Sequence, residues 1–271
     1  MPLILLQNFF TLLLCLLLNA GLFAQYTPTV SPYHLSLKRE LVFGGLGALS
    51  LGTGTWLQNR AGEPTATDLR LQKYDQINSF DRLGSHIGRD RPRKLSDLGL
   101  NVGSGLPALV LLSRKSRSDF PKIALLYAET MAITGGITSI TKAGFLRVRP
   151  YVYAPDWDPN QPLKSGDRAS FLSGHTSLSA AGSFFFARVF ADYHPDSRLK
   201  PYVWGLAATI PAVTGYLRIR AARHFPSDVL VGYALGASIG YLVPTLHKKP
   251  ILPRGMTISP MGQGMYLSYR F

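Results

Sequence analysis

The chain has 271 residues, with 29 Lys and Arg against 15 Asp and Glu, a formal net charge of +14 and 46% hydrophobic residues. That length fits one domain or one compact membrane unit, and the charge implies an anionic partner: nucleic acid, phosphorylated small molecules or acidic lipid headgroups. No nucleic-acid-binding module is recognisable, and the long apolar stretches exclude a soluble basic binder; positive flanks on membrane segments account for part of the charge. The one cysteine, Cys15, sits inside the first apolar run, so the rest of the chain has neither a disulfide framework nor a thiolate metal site.

In chain order, residues 3–18 form a signal-type apolar core, and the small residues after it suit cleavage following Ala24. No Lys or Arg precedes the run, so an uncleaved first anchor remains the alternative reading. Residues 41–57 are uncharged and glycine-rich, which suits a short span packed closely on a neighbouring helix. A basic polar loop covers 60–97, within which Tyr74–Ile87 reads as an amphipathic helix on the membrane surface or on the bundle; His86 reads as solvated.

Further apolar segments follow at about 98–113, 122–141, 171–191, 202–217 and 228–246. They are too long and too rich in Ala, Gly and Leu for strands, and the loops between them carry the charge. The expected fold is all-α: an antiparallel bundle of about six apolar helices, membrane-embedded, although Glu129 and Arg188 interrupt the hydropathy. In the tail, Met265, Leu267 and Tyr269 alternate with Tyr266, Ser268 and Arg270, which predicts a lone strand. The organisation is thus 1–24 signal, 25–94 first helix and basic surface loop, 95–247 core and 248–271 tail.

Three polar clusters sit at helix ends. Lys142 and Arg149-Pro150 close the third helix, Ser173-Gly174-His175 opens the fourth, and Arg218, His224 and Asp228 span the junction of the fifth and sixth. In an antiparallel bundle all three fall on one side. Fixed cations suit a phosphate, and imidazole beside carboxylate is the pair that an activated nucleophile needs. Taken singly, Lys142 and Arg149 would pass for snorkelling side chains, His175 for a helix-start histidine and Asp228 for a cap.

Together the clusters resemble the type-2 phosphatidic acid phosphatase and vanadium haloperoxidase superfamily. Its pattern is Lys-x6-Arg-Pro, Pro-Ser-Gly-His and Ser-Arg-x5-His-x3-Asp. This sequence has Lys142-x6-Arg149-Pro150, Leu172-Ser173-Gly174-His175 and Leu217-Arg218-x5-His224-x3-Asp228. Leu172 replaces a turn-shaping proline, and Leu217 replaces a serine and removes one hydroxyl.

The resemblance implies a phosphatase that needs no metal and no cofactor and acts on lipid phosphate monoesters or isoprenyl pyrophosphates. His224 would be the nucleophile and form a phosphohistidine. Asp228 would accept its other ring N–H. His175 would act as general acid and then base. Lys142, Arg149 and Arg218 would neutralise the phosphoryl oxygens, aided by the Ser173 hydroxyl and the Gly174 amide at a helix N-terminus. Partners would be the lipid substrate and the membrane, with no nucleic acid and an open oligomeric state. The alternatives are a vanadate-dependent haloperoxidase and a non-catalytic lipid-binding protein, the latter favoured only by Leu217.

Arg147, Arg220 and Arg223 match no motif position and read as headgroup-facing or solvated. His34, His194 and His247 read as loop residues without a specific duty. A cleaved signal with every segment spanning would put the site on the cytoplasmic side, together with the basic 60–97 loop. A site facing the periplasm of a bacterial-type envelope, the expectation adopted for such a chain, requires that 41–57 or 98–113 not span.

Overall fold

The structure, a computed structural model, describes residues 31–60, 76–84, 90–158, 161–248, 256–261 and 264–269. The signal-type segment and the proposed cleavage point lie outside the described residues. Six long helices account for the apolar segments: α1 (Leu37–Arg60), α2 (Asp90–Gly105), α3 (Phe120–Phe145), α4 (Gly174–Tyr193), α5 (Lys200–Arg220) and α6 (Pro226–Leu246). α2 continues as 3-10 turns through Leu106–Leu112, where Pro107 removes an amide from the α-helical ladder.

Side-chain neighbours give the helix directions. Gly44 lies beside Glu129 and Gly54 beside Ser139, so α1 runs parallel to α3. Tyr127 meets Phe185 and Thr138 meets Ser177, so α4 runs against α3. Gly232 faces Ser173 and Gly240 faces Ala181, so α6 runs with α4. Thus α1, α3 and α5 finish at one end of the bundle, and α2, α4 and α6 begin there. That end carries all three sequence clusters.

α4 is the central helix, in contact with α2, α3, α5 and α6. It can be central because its buried positions are small: Ser177, Ala180, Ala181, Gly182 and Ser183 among them. On α6, Gly232, Gly236 and Gly240 are four residues apart and share one face. A Cβ on Gly236 would stand 2.0 Å from the Ser177 carbonyl oxygen, and one on Gly240 2.3 Å from that of Ala181. The two backbones therefore touch directly, and this seam sets the height of His175 relative to Asp228.

The apolar core lies at the other end, where Leu126, Phe185, Val189, Tyr193 and Val243 pack together. Outward-facing positions are also apolar, including Leu41 and Leu49 on α1, Leu98 and Val102 on α2, Leu206 and Val213 on α5, and Leu230 and Leu242 on α6. Among the described residues, three stretches are long and apolar enough to cross a membrane: Asp90–Leu112, Phe120–Tyr153 and Pro226–Leu246. The bundle is therefore the all-α, membrane-embedded type expected from sequence.

Two local expectations differ. Of the amphipathic helix predicted at Tyr74–Ile87, residues 76–84 are described, and they hold turns and a 3-10 helix at Asp81–Leu83 in place of a continuous α-helix. The turn is held by the Asp81 side chain, which is buried against the start of α6 rather than facing solvent. The tail is a hairpin rather than a lone strand: β1 (Met256–Met261) pairs antiparallel with β2 (Gly264–Tyr269), Ile258 opposite Leu267. Pro260 obscured β1, since proline argues against a strand except at an edge, and both strands of a two-stranded ribbon are edges.

The glycine seam makes a direct prediction. Gly236→Ala should lower stability by about 1–3 kcal/mol through overpacking. Gly205→Ala on α5, where a Cβ meets nothing within 4 Å, should be neutral or stabilising. Thermal unfolding of both variants in detergent checks the contrast.

Candidate active site

α3 ends where Leu146 adopts a left-handed conformation, φ 45°, and its amide returns to the Lys142 carbonyl. This turn sends residues 147–150 across the end of the bundle. Lys142 Nζ donates to the Ala169 carbonyl at 2.7 Å. Arg149 Nε donates to the Gly166 carbonyl at 2.7 Å and Nη2 to that of Ala169 at 3.3 Å. Both side chains are thus oriented by neutral carbonyl oxygens rather than by carboxylates. Arg218, in the last turn of α5 and 5% exposed, places Nη1 3.3 Å from Ser96 Oγ and 3.6 Å from Asp97 Oδ1.

His224 is buried between α5 and α6, with Nδ1 2.7 Å from the Ser170 carbonyl oxygen. A carbonyl only accepts, so Nδ1 carries the proton and Nε2 keeps its lone pair. Burial, and then the charges of Arg149, Lys142 and Arg218, hold the ring's pKa well below the usual imidazole value. The ring is therefore neutral at neutral pH, the form in which Nε2 is nucleophilic.

Asp228 does not take the role that its spacing suggested. Its Oδ2 is 3.7 Å from His224 Nδ1, beyond hydrogen-bond reach. That oxygen instead accepts from Ser170 Oγ at 2.6 Å and from the Phe225 amide at 2.9 Å, while Oδ1 accepts from Arg147 at 2.6 Å. The carboxylate thereby fixes Ser170, whose carbonyl in turn fixes His224, and places a negative charge 3.7 Å from the ring.

Arg147 is likewise not solvated. Its guanidinium joins Asp228 to Asp81, the latter at 2.7 Å, donates to Ser227 Oγ at 2.8 Å, and lies over the Phe225 ring. Asp81 also accepts from the Ser227 amide at 2.8 Å. Burial pushes the Asp81 carboxyl up, but bonds from Arg147, Ser227 and Asn78 outweigh it and hold the group below its ordinary value. Arg223 is half-buried over the Tyr151 ring, and only Arg220 of the three off-motif arginines is exposed as expected.

His175, at the second position of α4, sets Nε2 2.8 Å from Asp97 Oδ1. Asp97 escaped the sequence reading. The available signal was that no other acidic residue lies between Asp90 and Asp119, and that it opens an apolar helix. Ser173 is fully buried and caps α4: its Oγ accepts from the Thr176 amide at 3.4 Å and shares a 2.8 Å hydrogen bond with the Thr176 hydroxyl. Its hydroxyl is engaged with the helix rather than turned toward an anion. A Cβ on Gly174 would stand 3.8 Å from Lys142 Cε, which puts the α4 N-terminus beside the cations. His34 is exposed and His194 stacks on Phe190, whereas His247, in the turn after α6 as expected, is wholly buried.

The Asp81–Arg147 pair makes a second prediction. Asp81→Ala removes a buried carboxylate from a guanidinium and an amide, and stability should fall by about 2–4 kcal/mol. Asp81→Asn should recover part of that loss. Thermal unfolding with parallel activity measurements separates the two.

Residues 123–251 match the model of the PAP2 superfamily. A lipid A 1-phosphatase of Porphyromonas gingivalis is 30% identical over 148 residues, covering 52% of this chain and 29% of the relative. A lipid A 4'-phosphatase of the same organism is 31% identical over 109 residues, covering 39% of this chain and 42% of the relative. A PA-phosphatase related-family protein of Dictyostelium discoideum is 30% identical over 152 residues, covering 52% and 56%. The chain thus spans less than two thirds of the length of each of these relatives. A crystal structure described as the first transmembrane PAP2 type phosphatidylglycerolphosphate phosphatase, from Bacillus subtilis, is similar at 20% identity and a TM-score of 0.43, over 78% of this chain and 94% of that one. With the Lys-Arg, Ser-Gly-His and Arg-His-Asp clusters gathered at one end of the bundle, residues 123–251, running from α3 through α6, belong to the PAP2 superfamily.

Proposed function

We propose that the chain is a phosphoric monoester hydrolase acting on phosphorylated lipids through a phosphohistidine on His224. The observation that carries this reading is a neutral His224, protonated at Nδ1, beside Lys142, Arg149 and Arg218 at the polar end of an otherwise apolar bundle. Nε2 attacks phosphorus, and the bond to the leaving alkoxide breaks as His175 delivers a proton to that oxygen. Burial pulls the His175 pKa down to about 4, and the Asp97 carboxylate works against it, toward the protonated ring that this step needs. The ring charge on phosphorylated His224 is balanced by Asp228 and by the Ser170 carbonyl. In the second step His175 takes a proton from water, the water oxygen attacks phosphorus, the P–N bond breaks and neutral His224 returns. Lys142, Arg149 and Arg218 neutralise the phosphoryl oxygens throughout.

A lipid substrate is supported by the outward apolar belt, which lets an acyl or prenyl chain stay in the bilayer while its phosphate enters the polar end. Two relatives bear the name of lipid A phosphatases, which favours a glycolipid phosphate among the candidates. The site is proposed to face the periplasm.

Phosphate release from phosphatidic acid, a lipid A phosphate and a prenyl pyrophosphate, measured with EDTA present, tests the reaction. Activity is expected on at least one of them, and His224→Ala should abolish it. Asp228→Asn should lower kcat by roughly two to four orders of magnitude while the chain remains folded. Turnover by His224→Ala at the wild-type rate, or inactivity of the wild type on every lipid phosphate, defeats the proposal. For sidedness, a reporter fused after residue 160 should be active outside the cytoplasm; activity confined to the cytoplasm reverses the orientation.

A further inference from the structure

A second cluster of ionisable groups lies at the end of the bundle remote from the phosphate site. Glu40 comes from the first turn of α1, Glu129 from α3 and His247 from the residue that follows α6. Along α3, Glu129 is about 20 Å from Lys142 at 1.5 Å per residue. Nothing in the phosphatase mechanism uses these three residues, and Glu129 is the charge that breaks the third apolar segment.

The histidine is aimed. His247 is 0% exposed, and its Nδ1 lies 2.7 Å from the Val243 carbonyl, which can only accept. The ring's other nitrogen, Nε2, therefore turns its lone pair into the cluster, 3.6 Å from Glu40 Oε1 and 3.6 Å from Glu129 Oε2. Among the described residues, His247 Nε2, both carboxylate oxygens of Glu129 and Oε2 of Glu40 have no hydrogen-bond partner. Glu129 itself is 4% exposed. The neighbouring cation, Arg39, lies 3.9 Å from Glu40 Oε1 and directs its terminal nitrogens to the carbonyls of Leu246 and His34.

The spacing around His247 favours a metal ion over a shared proton. N···O hydrogen bonds close at about 2.7–3.2 Å, so 3.6 Å is too long for a proton to bridge imidazole and carboxylate. Bonds of about 2.0–2.1 Å at tetrahedral angles set ligand atoms about 3.3–3.4 Å apart, close to what is found. The three candidate ligand atoms all lie within 4.8 Å of one another, so a small closure of the two glutamates completes the set. One imidazole nitrogen and two carboxylates suit a divalent first-row transition ion, and its two charges offset both carboxylates.

We propose that Glu40, Glu129 and His247 bind one divalent transition-metal ion of the Zn²⁺ class, with water completing the coordination. The ion ties the start of α1 to α3 and to the end of α6. The same joint carries the bridge between Tyr33 and Lys248 and the bond from the His34 amide to the His247 carbonyl. It is a structural fastening, distinct in place and chemistry from the phosphate site.

The test uses the full chain, purified in detergent, stripped with a chelator and given one equivalent of Zn²⁺ before gel filtration and elemental analysis. Wild type should retain about one ion per chain, and excess Zn²⁺ at about a hundred times Kd should raise Tm by roughly 5–10 °C. Glu129→Gln and His247→Gln should each cut retention tenfold or more while helicity is kept. Co²⁺ added to stripped wild type should give the intense visible absorption of a low-coordinate site, a readout that needs no variant. Wild type that retains no Zn²⁺ and shows no Tm shift, or Glu129→Gln that binds as wild type does, overturns the proposal and leaves a protonated cluster. So does Co²⁺ absorption as weak as that of the hydrated ion.

Discussion

Lys142, Arg149 and His224 all take their orientation from the carbonyl oxygens of residues 166–170. Gly166 and Ala169 receive Arg149 and Lys142, and Ser170 receives His224. A carboxylate would have held the same side chains more strongly but would have neutralised them. A carbonyl orients a cation without cancelling its charge, so the site presents an unbalanced positive field to an incoming phosphate. Arg147 shows the contrast: it lies in the same short segment, meets Asp81 and Asp228, and its charge is absorbed into the framework.

Such a field opposes its own assembly, because three like charges repel one another and disfavour any charge on the buried imidazole. Two features offset this. Asp228 supplies one buried negative charge and anchors Ser170, Phe225 and Arg147 together. The glycine seam between α4 and α6 and the apolar core at the opposite end supply the packing that the polar end lacks. The fold therefore separates its tasks along the bundle axis, with stability at one end and electrostatic strain at the other.

The six helices were legible because their apolar runs are long and the charges fall between them. The motif residues were legible because their spacing places them at helix ends that alternate up and down. What sequence did not disclose was the choice among competing partners over the last ångström. Spacing of four residues put Asp228 near His224, yet the Ser170 carbonyl, 54 positions away in sequence, makes the hydrogen bond. Arg147 read as one more basic residue because its partner Asp81 is 66 positions distant. Asp97 carried a faint signal, and Ser173 a misleading one, since a serine opening a helix is a cap as readily as a ligand. Asp81 and β1 were obscured by local patterns, amphipathic in one case and interrupted by proline in the other.

The candidate site is also larger than its signature. The family match begins at residue 123, but Asp81, Ser96 and Asp97 all precede it and contact Arg147, Arg218 and His175. A fragment started at the family boundary would keep all three motifs and lose the groups that hold their side chains in place. The contacts that position the three motifs thus reach back through α2 to the 76–84 turn.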